Sequence, residues 1–193
     1  MSEAAAADGA AEPDTRLVGV VGDVADPAVV ELPTDGTLRS VREAVSLTGQ
    51  FGFAVVGGVL GGVTRDLDLP PSAAALSAAG LGTDGVVELL TEGRCVVADV
   101  GERARFAAEA NAGRCVPGRE GTVQLAELLR EVYDGEFDPE AIRELGRTMR
   151  RTSNCPTGAH APRPVTTAID AFEPAFRAHA DGRCPSGRCS HLL

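Results

Sequence analysis

Between Arg16 and Leu90 the apolar residues fall in short β-branched runs broken by turn formers, whereas beyond Cys95 they recur at intervals of three and four. This change of period predicts a sheet-forming first half and a helical second half. Leu17-Val18-Gly19-Val20-Val21 and Val29-Val30-Glu31-Leu32 flank the Asp26-Pro27 turn and read as a hairpin. Thr37 is placed to cap a helix in which Leu38, Val41, Ala44, Val45 and Leu47 recur at helical spacing until Gly49. Phe53 to Val56 and Gly85 to Leu90 supply two later strands, separated by a glycine-rich loop and a short helix over Ser72 to Ala79.

Strand, strand, helix is the opening of a β-grasp sheet. In the second half, Thr122 to Tyr133 sets Val123, Leu125, Ala126, Leu128, Leu129 and Val132 on a broad apolar face. Asp138-Pro139 is an N-cap followed by Pro at the first helical position, opening a helix with Ile142, Leu145 and Met149 inward. Val165 to Ala180 carries Ile169, Phe172 and Phe176 at core spacing. The expected fold class is α+β: a β-grasp domain over residues 16–93, then a small all-α helical-bundle domain over 94–180 and a cysteine-bearing element over 181–193. Residues 1–15, made of Ala, Asp, Glu and Pro with little to bury, are expected to form a disordered acidic tail.

Charge and composition narrow the partners. A net charge of −10 opposes binding to nucleic acid, which requires clustered cations that displace counterions. No apolar run is long enough to span a bilayer and the Ala-rich start lacks the features of an export signal, so no membrane insertion and a cytoplasmic location are expected. All 18 basic residues are Arg, which together with abundant Ala, Gly, Asp and Glu suits a GC-rich, salt-loving host. The loop from Gly57 to Gly62 matches no nucleotide-binding pattern and reads as a structural turn. Arg147, Arg150 and Arg151 form a local cationic patch, either a solvated helix face or a docking surface.

The five cysteines of a chain with this character point to metal ligands, redox thiols or buried small hydrophobes rather than to a disulfide framework. His179, Cys184 and Cys189 lie in the spacing H-x4-C-x4-C, and Pro185 and Gly187 can fold the intervening loop so that both thiolates face one point. Cys95 completes a candidate Cys3His tetrahedron of the kind that holds structural zinc. His191 is an alternative to His179, and Cys95 is equally readable as a buried hydrophobe.

A resemblance emerges from ordered motifs. Asn111-Ala112-Gly113-Arg114-Cys115-Val116-Pro117-Gly118-Arg119-Glu120-Gly121 resembles the iron–sulfur cluster loop of the NADH dehydrogenase (complex I) flavoprotein subunit and of related NAD-linked hydrogenases, and Thr152 to Gly158 resembles the turn carrying that family's fourth ligand. Arg147 to Arg150, Ala161 to Val165 and Ala168 to Phe172 resemble the helical cluster-binding domain, and the first half resembles the soluble-ligand-binding β-grasp (SLBB) domain that precedes it. Cys184-Pro185-Ser186-Gly187-Arg188-Cys189 resembles an element of the hydrogenase branch. The resemblance implies a four-iron, four-sulfur cluster on four thiolates. Here Ala112 and Gly118 occupy two of those positions, leaving Cys115 and Cys155 as residual ligands. Asn111 and His160 are polar neighbours but do not match a ligand position.

An intact cluster is therefore not expected, and since the family's FMN- and NADH-binding domain has no counterpart in the sequence, neither FMN nor NAD is expected in this chain. The reading is a truncated, partly degenerate homologue acting as a non-catalytic scaffold or docking subunit of a redox complex, its partners being other subunits, including a separate flavin-binding chain. Two alternatives stand beside it. One is an electron-transfer subunit whose cluster uses unusual or partner-supplied ligands, and the other is a thiol redox protein built on Cys115 and Cys155.

Overall fold

A computed structural model describes residues 15–189; the expected tail, apart from Thr15, and His191 lie outside the described residues. Strands β1 (Thr15–Gly22) and β2 (Ala28–Pro33) form the expected antiparallel hairpin, with Val18 opposite Val30 and Val20 opposite Ala28. Alternation sends Val18 and Val20 inward while Leu17 faces solvent. After helix α1 (Arg39–Glu43) come strands β3 (Phe51–Val56) and β4 (Gly62–Thr64), helix α2 (Ala73–Ala78) and strand β5 (Val86–Thr91). The sheet order is β2-β1-β5-β3-β4, with β5 parallel to β1 and antiparallel to β3, so a crossover returns β5 to the centre as a β-grasp sheet requires.

Two elements of the first half differ from expectation. Helix α1 stops at Glu43, and Thr37 does not cap it: Leu38 stands at the N-cap and makes no side-chain bond. Backbone bonds to the loop after β1 replace the second helical turn, from Ala25 N–H to the Ser46 carbonyl and from Thr48 N–H to the Asp23 carbonyl. The glycine-rich loop is short and leads directly into β4, a strand that the low side-chain content of Gly61-Gly62 hides in the sequence. Its entry needs glycine for close approach. Gly57 has φ +98°, and a Cβ there would lie 2.2 Å from the Cα of Gly82.

The helices are α3 (Val96–Glu109), α4 (Val116–Glu131), α5 (Pro139–Thr152), α6 (Pro156–His160) and α7 (Pro162–Ala180). Asp138 caps α5 as expected, accepting from the N–H groups of Glu140 and Ala141 at 3.0 Å. Helix α4 starts six residues before the expected Thr122, with Cys115 at its N-cap and Pro117 in its first turn. Helix α7 likewise begins earlier than expected, at Pro162, and bends at Phe172, two residues before Pro174.

Strand β3 buries both faces. Ala54 and Val56 join Val18, Val20, Val87 and Leu89 beneath α1 and α2, while Phe53 and Val55 join Leu90 and Val63 against Val97, Val100, Ile169 and Phe172 of the helices. Edge strand β4 is covered by α7, where the Thr167 hydroxyl accepts from the Val63 N–H at 2.7 Å. Arg103 of α3, with its side chain only 8% exposed, reaches Glu88 of β5 at 2.6 Å and Asp99 at 2.7 Å. The end of β5 is fixed by Asp23, which accepts from the Thr91 N–H at 3.0 Å and pairs with Arg94 at 2.7 Å, immediately before Cys95.

The bonds from Arg94, reinforced by those from Thr91 and opposed by burial, hold the Asp23 carboxyl at about 2. A carboxylate depressed on folding stabilises the fold above its unfolded pKa and loses that contribution as pH falls through the folded value. Asp23→Asn is therefore expected to cost about 2 kcal/mol at pH 7. Urea unfolding at a series of pH values should show the gap to the parent protein constant down to about pH 4 and closing towards about pH 2.

Candidate metal centre and the cluster loop

Four side chains from three places in the sequence converge at the junction of sheet and helices. Cys95 is the N-cap of α3, His179 lies in the last turn of α7, and Cys184 and Cys189 sit on the turn that follows. That turn is closed by a bond from Gly187 N–H to the Cys184 carbonyl at 3.0 Å, and Gly187 takes φ +65°. One ligand atom from each of the four residues lies within 4.8 Å of all the others. His179 Nε2 is 3.2 Å from Cys95 Sγ and 3.6 Å from Cys189 Sγ.

The other imidazole nitrogen fixes the tautomer. Nδ1 donates to the Ala175 carbonyl at 2.7 Å, leaving the Nε2 lone pair aimed at the three sulfurs. A backbone acceptor behind a ligating histidine is how metal sites orient their imidazoles. His179 is 1% exposed, and Tyr133 packs edge-on against its ring with centroids 5.5 Å apart. Burial opposes ionisation of Cys184, but the Ser186 hydroxyl and the N–H groups of Cys189 and Arg188 outweigh it and bring the thiol down to about 5. Burial and the neighbouring Cys95 push Cys189 up to about 12. Crowding of this kind, with the Cys184 thiolate favoured while Cys189 resists ionising, is what a bound cation relieves. A cleft of about 230 Å³ lined by Phe53, Arg65, Phe172 and His179 opens against the group and gives access from solvent. Three sulfurs and one imidazole nitrogen make a soft, closed donor set suited to tetrahedral zinc.

The cluster loop has a different geometry. Cys115 stands at the N-cap of α4 without a side-chain cap bond, and Cys155 caps α6. Ala112 is exposed, and Gly118 lies in the first turn of α4. The space beside Gly118 is filled: a Cβ there would lie 2.7 Å from Cys155 Sγ, and one on Gly158 would lie 2.6 Å from the Gly118 Cα. Asn154 N–H donates to Cys115 Sγ at 3.1 Å, and Gly158 N–H donates to Cys155 Sγ at 3.3 Å. A methyl group and a hydrogen ligate no iron, so the four-thiolate set that a cubane cluster uses is not provided by these residues. The cationic patch lies at the C-terminal end of α5, where Arg147 pairs with Glu144 at 2.6 Å.

Sequence spacing singles out His179, Cys184 and Cys189, the sequence reading joins Cys95 to them, and the fold brings Cys95 to His179 across 84 positions. The partners that orient the group, the Ala175 carbonyl, Tyr133 and Ser186, carry no sequence signal because their roles depend on helix phase and tertiary contact.

Comparison with known proteins gives the family resemblance of the chain. Residues 99–179 match the model of the NADH-ubiquinone oxidoreductase-F iron-sulfur binding region. A subunit of the NADH-quinone oxidoreductase of Aquifex aeolicus is 33% identical over 81% of this chain and 38% of its own length. The HndC subunit of the NADP-reducing hydrogenase of Solidesulfovibrio fructosivorans is 27% identical over 93% of this chain and 39% of its own. The chain thus spans about two fifths of the length of these curated relatives. Among solved structures, an NAD+-reducing [NiFe]-hydrogenase in its H2-reduced state superposes with a TM-score of 0.75 at 31% identity, covering 86% of this chain and 29% of that one.

The glycine contact at the cluster loop has a direct consequence. Gly158→Ala, which would drive a methyl group into the Gly118 Cα and the Ser153 hydroxyl, is expected to destabilise the fold by about 2 kcal/mol through overpacking. Gly182→Ala, with nothing within 4 Å of the added Cβ but φ +73°, reports the backbone cost alone. Denaturant unfolding of both variants measures the difference.

Proposed function

With residues 99–179 belonging to the NADH-ubiquinone oxidoreductase-F iron-sulfur binding region family, we propose that this chain serves a redox complex as a non-catalytic scaffold or docking subunit fastened by a structural zinc ion. Cys95, His179, Cys184 and Cys189 hold the ion. It joins the end of β5 and the start of α3 to the end of α7 and the turn beyond. The observation that carries this reading is the convergence of all four donor atoms within 4.8 Å, with the imidazole already oriented by its backbone acceptor. The ion supplies cross-linking rather than catalysis, because a Cys3His set leaves a tetrahedral metal no open position.

Loss of the cluster supports the same reading. Two cluster positions hold Ala112 and Gly118, and the glycine backbone occupies space beside Cys155, so electrons are not relayed through this loop. What persists is the packing of α3, α4, α5 and α7, together with the sheet they cover. Such a body offers a partner subunit the shape of a flavoprotein's iron–sulfur region without its chemistry. The partners proposed are other subunits of an NADH dehydrogenase-like or hydrogenase-like assembly, including a flavin-binding chain, in the cytoplasm. No helix among the described residues is long and apolar enough to cross a membrane.

Anaerobic purification followed by zinc, iron and sulfide analysis tests the proposal. One zinc per chain and no stoichiometric iron or sulfide is the expected result. Iron and sulfide in stoichiometric amounts, lost in Cys115→Ala, would overturn it and make the chain an electron carrier. Cys184→Ser and His179→Ala should each abolish zinc retention. A ligand present at a thousandfold excess over its Kd contributes about 4 kcal/mol. Losing it is expected to lower Tm by about 10 °C in calorimetry.

A further inference from the structure

Two regular elements break their pattern at one cleft. Strand β3 slips register against β5 between Phe51 and Phe53, which leaves Gly52 as the extra residue of a bulge. A Cβ on Gly52 would lie 2.8 Å from the Glu92 nitrogen, so the close approach of the two backbones requires glycine. Helix α7 leaves helical geometry at Phe172, with φ −138° and ψ 26°, ahead of Pro174. Phe53 follows the bulge and Phe172 sits at the bend, and their rings meet edge-on. Both rings line the cleft of about 230 Å³ that opens against the junction group.

The same cleft has two charged side chains of opposite sign in its mouth. Arg65 is the first residue after β4 and Glu92 the first after β5. Both strands run antiparallel to β3, which lies between them, so both end where β3 begins. With adjacent strands about 4.8 Å apart, Arg65 and Glu92 leave the sheet about 10 Å from each other, on either flank of Gly52 and Phe53. Each is exposed, and among the described residues neither forms an ion pair with the other or with any third group. The Arg65 guanidinium lies over the Phe172 ring, 4.5 Å from its centroid, which orients the cation without neutralising it. Arg94, also on the lining, is already engaged by Asp23 at 2.7 Å.

Between these charges the wall is carbon: Phe53, Val96, Phe172, Ala175 and Pro185. An apolar wall beneath a few convergent polar groups is the composition of a small-molecule site, and the volume is below the roughly 300–1,000 Å³ of sites for drug-sized ligands. We infer that the cleft binds a free apolar α-amino acid as its zwitterion. The carboxylate accepts from the Arg65 guanidinium, the ammonium donates to the Glu92 carboxylate, and the side chain lies against Phe53 and Phe172. Charge complementarity selects the zwitterion, since a simple anion would meet Glu92 and a simple cation Arg65. The site is separate from the four metal donors in what it recognises, although Cys95 and His179 close its inner end.

The test titrates the full chain, as purified, with L-leucine and three probes that each lack one feature, followed by amide chemical shifts in NMR. The probes are 4-methylpentanoate without the ammonium, 3-methylbutylamine without the carboxylate and glycine without the side chain. L-leucine is expected to bind saturably, with shifts centred on Gly52, Phe53, Arg65 and Phe172, and each probe to bind about tenfold more weakly or worse, the worth of one charge-assisted bond. Arg65→Met should reduce L-leucine affinity about tenfold while leaving that for 3-methylbutylamine unchanged, and Glu92→Gln should do the same while sparing 4-methylpentanoate. A merely structural effect would weaken every probe alike, and circular dichroism checks that both variants are folded. The inference is overturned by no saturable binding of L-leucine up to about 10 mM. Equal binding of glycine, which would mark capture of the head group by the metal alone, overturns it too, as do variants that bind like the parent protein. Zinc per chain, measured on the same sample, reports separately on the metal reading.

Discussion

The double-sided burial of β3 is the constraint on which the remaining architecture depends. An interior strand with Ala54 and Val56 on one face and Phe53 and Val55 on the other cannot be satisfied by α1 and α2 alone. The second face needs a cover, and α3 and α7 provide it, with Phe172 meeting Phe53 edge-on at 5.8 Å between centroids. Each core side chain withdrawn there contributes about 1.5–3 kcal/mol by leaving water. Because α3 begins where β5 ends and α7 lies across β4, this packing also decides where Cys95 and His179 stand. The candidate metal centre is a by-product of how the sheet is covered.

The cluster loop and the junction group differ in how far packing holds them. Ala112 and Gly118 stand where the family resemblance places cluster ligands, while Leu125, Leu129, Met149 and Ile169 are buried in one continuous core. Small residues then let backbones approach, as Gly118 and Gly158 do. The junction group, by contrast, is embedded: Cys95 and Cys189 are buried, and His179 is nearly inaccessible. Core packing and candidate ligand chemistry are thus carried by different residues.

Much of this was legible in the sequence, and the parts that were not share physical causes. Hairpin, central strands and the α5 cap follow from alternation, turn residues and Asp138-Pro139, all of which act locally. Helix α1 ended early because backbone bonds to Asp23 and Ala25 compete with helical ones, a tertiary effect invisible to periodicity. The starts of α4 and α7 were obscured by Pro and Gly, which a first helical turn tolerates although an interior does not. At the metal centre, the compact spacing of His179, Cys184 and Cys189 is readable, and Cys95 is the only other cysteine near a domain junction. The orienting carbonyl of Ala175 is four residues before His179 on the same helix, a relation that only the observed helix phase reveals.

The sequence order of the four junction residues bears on biosynthesis. Cys95 leaves the ribosome long before His179, Cys184 and Cys189, by which time the sheet and most of the helices have already emerged. The four donor atoms can come together only once the sheet–helix scaffold is in place. Nascent chains short of residue 179 carry Cys95 without any of its three companions, so the donor group closes only with the last stretch of synthesis.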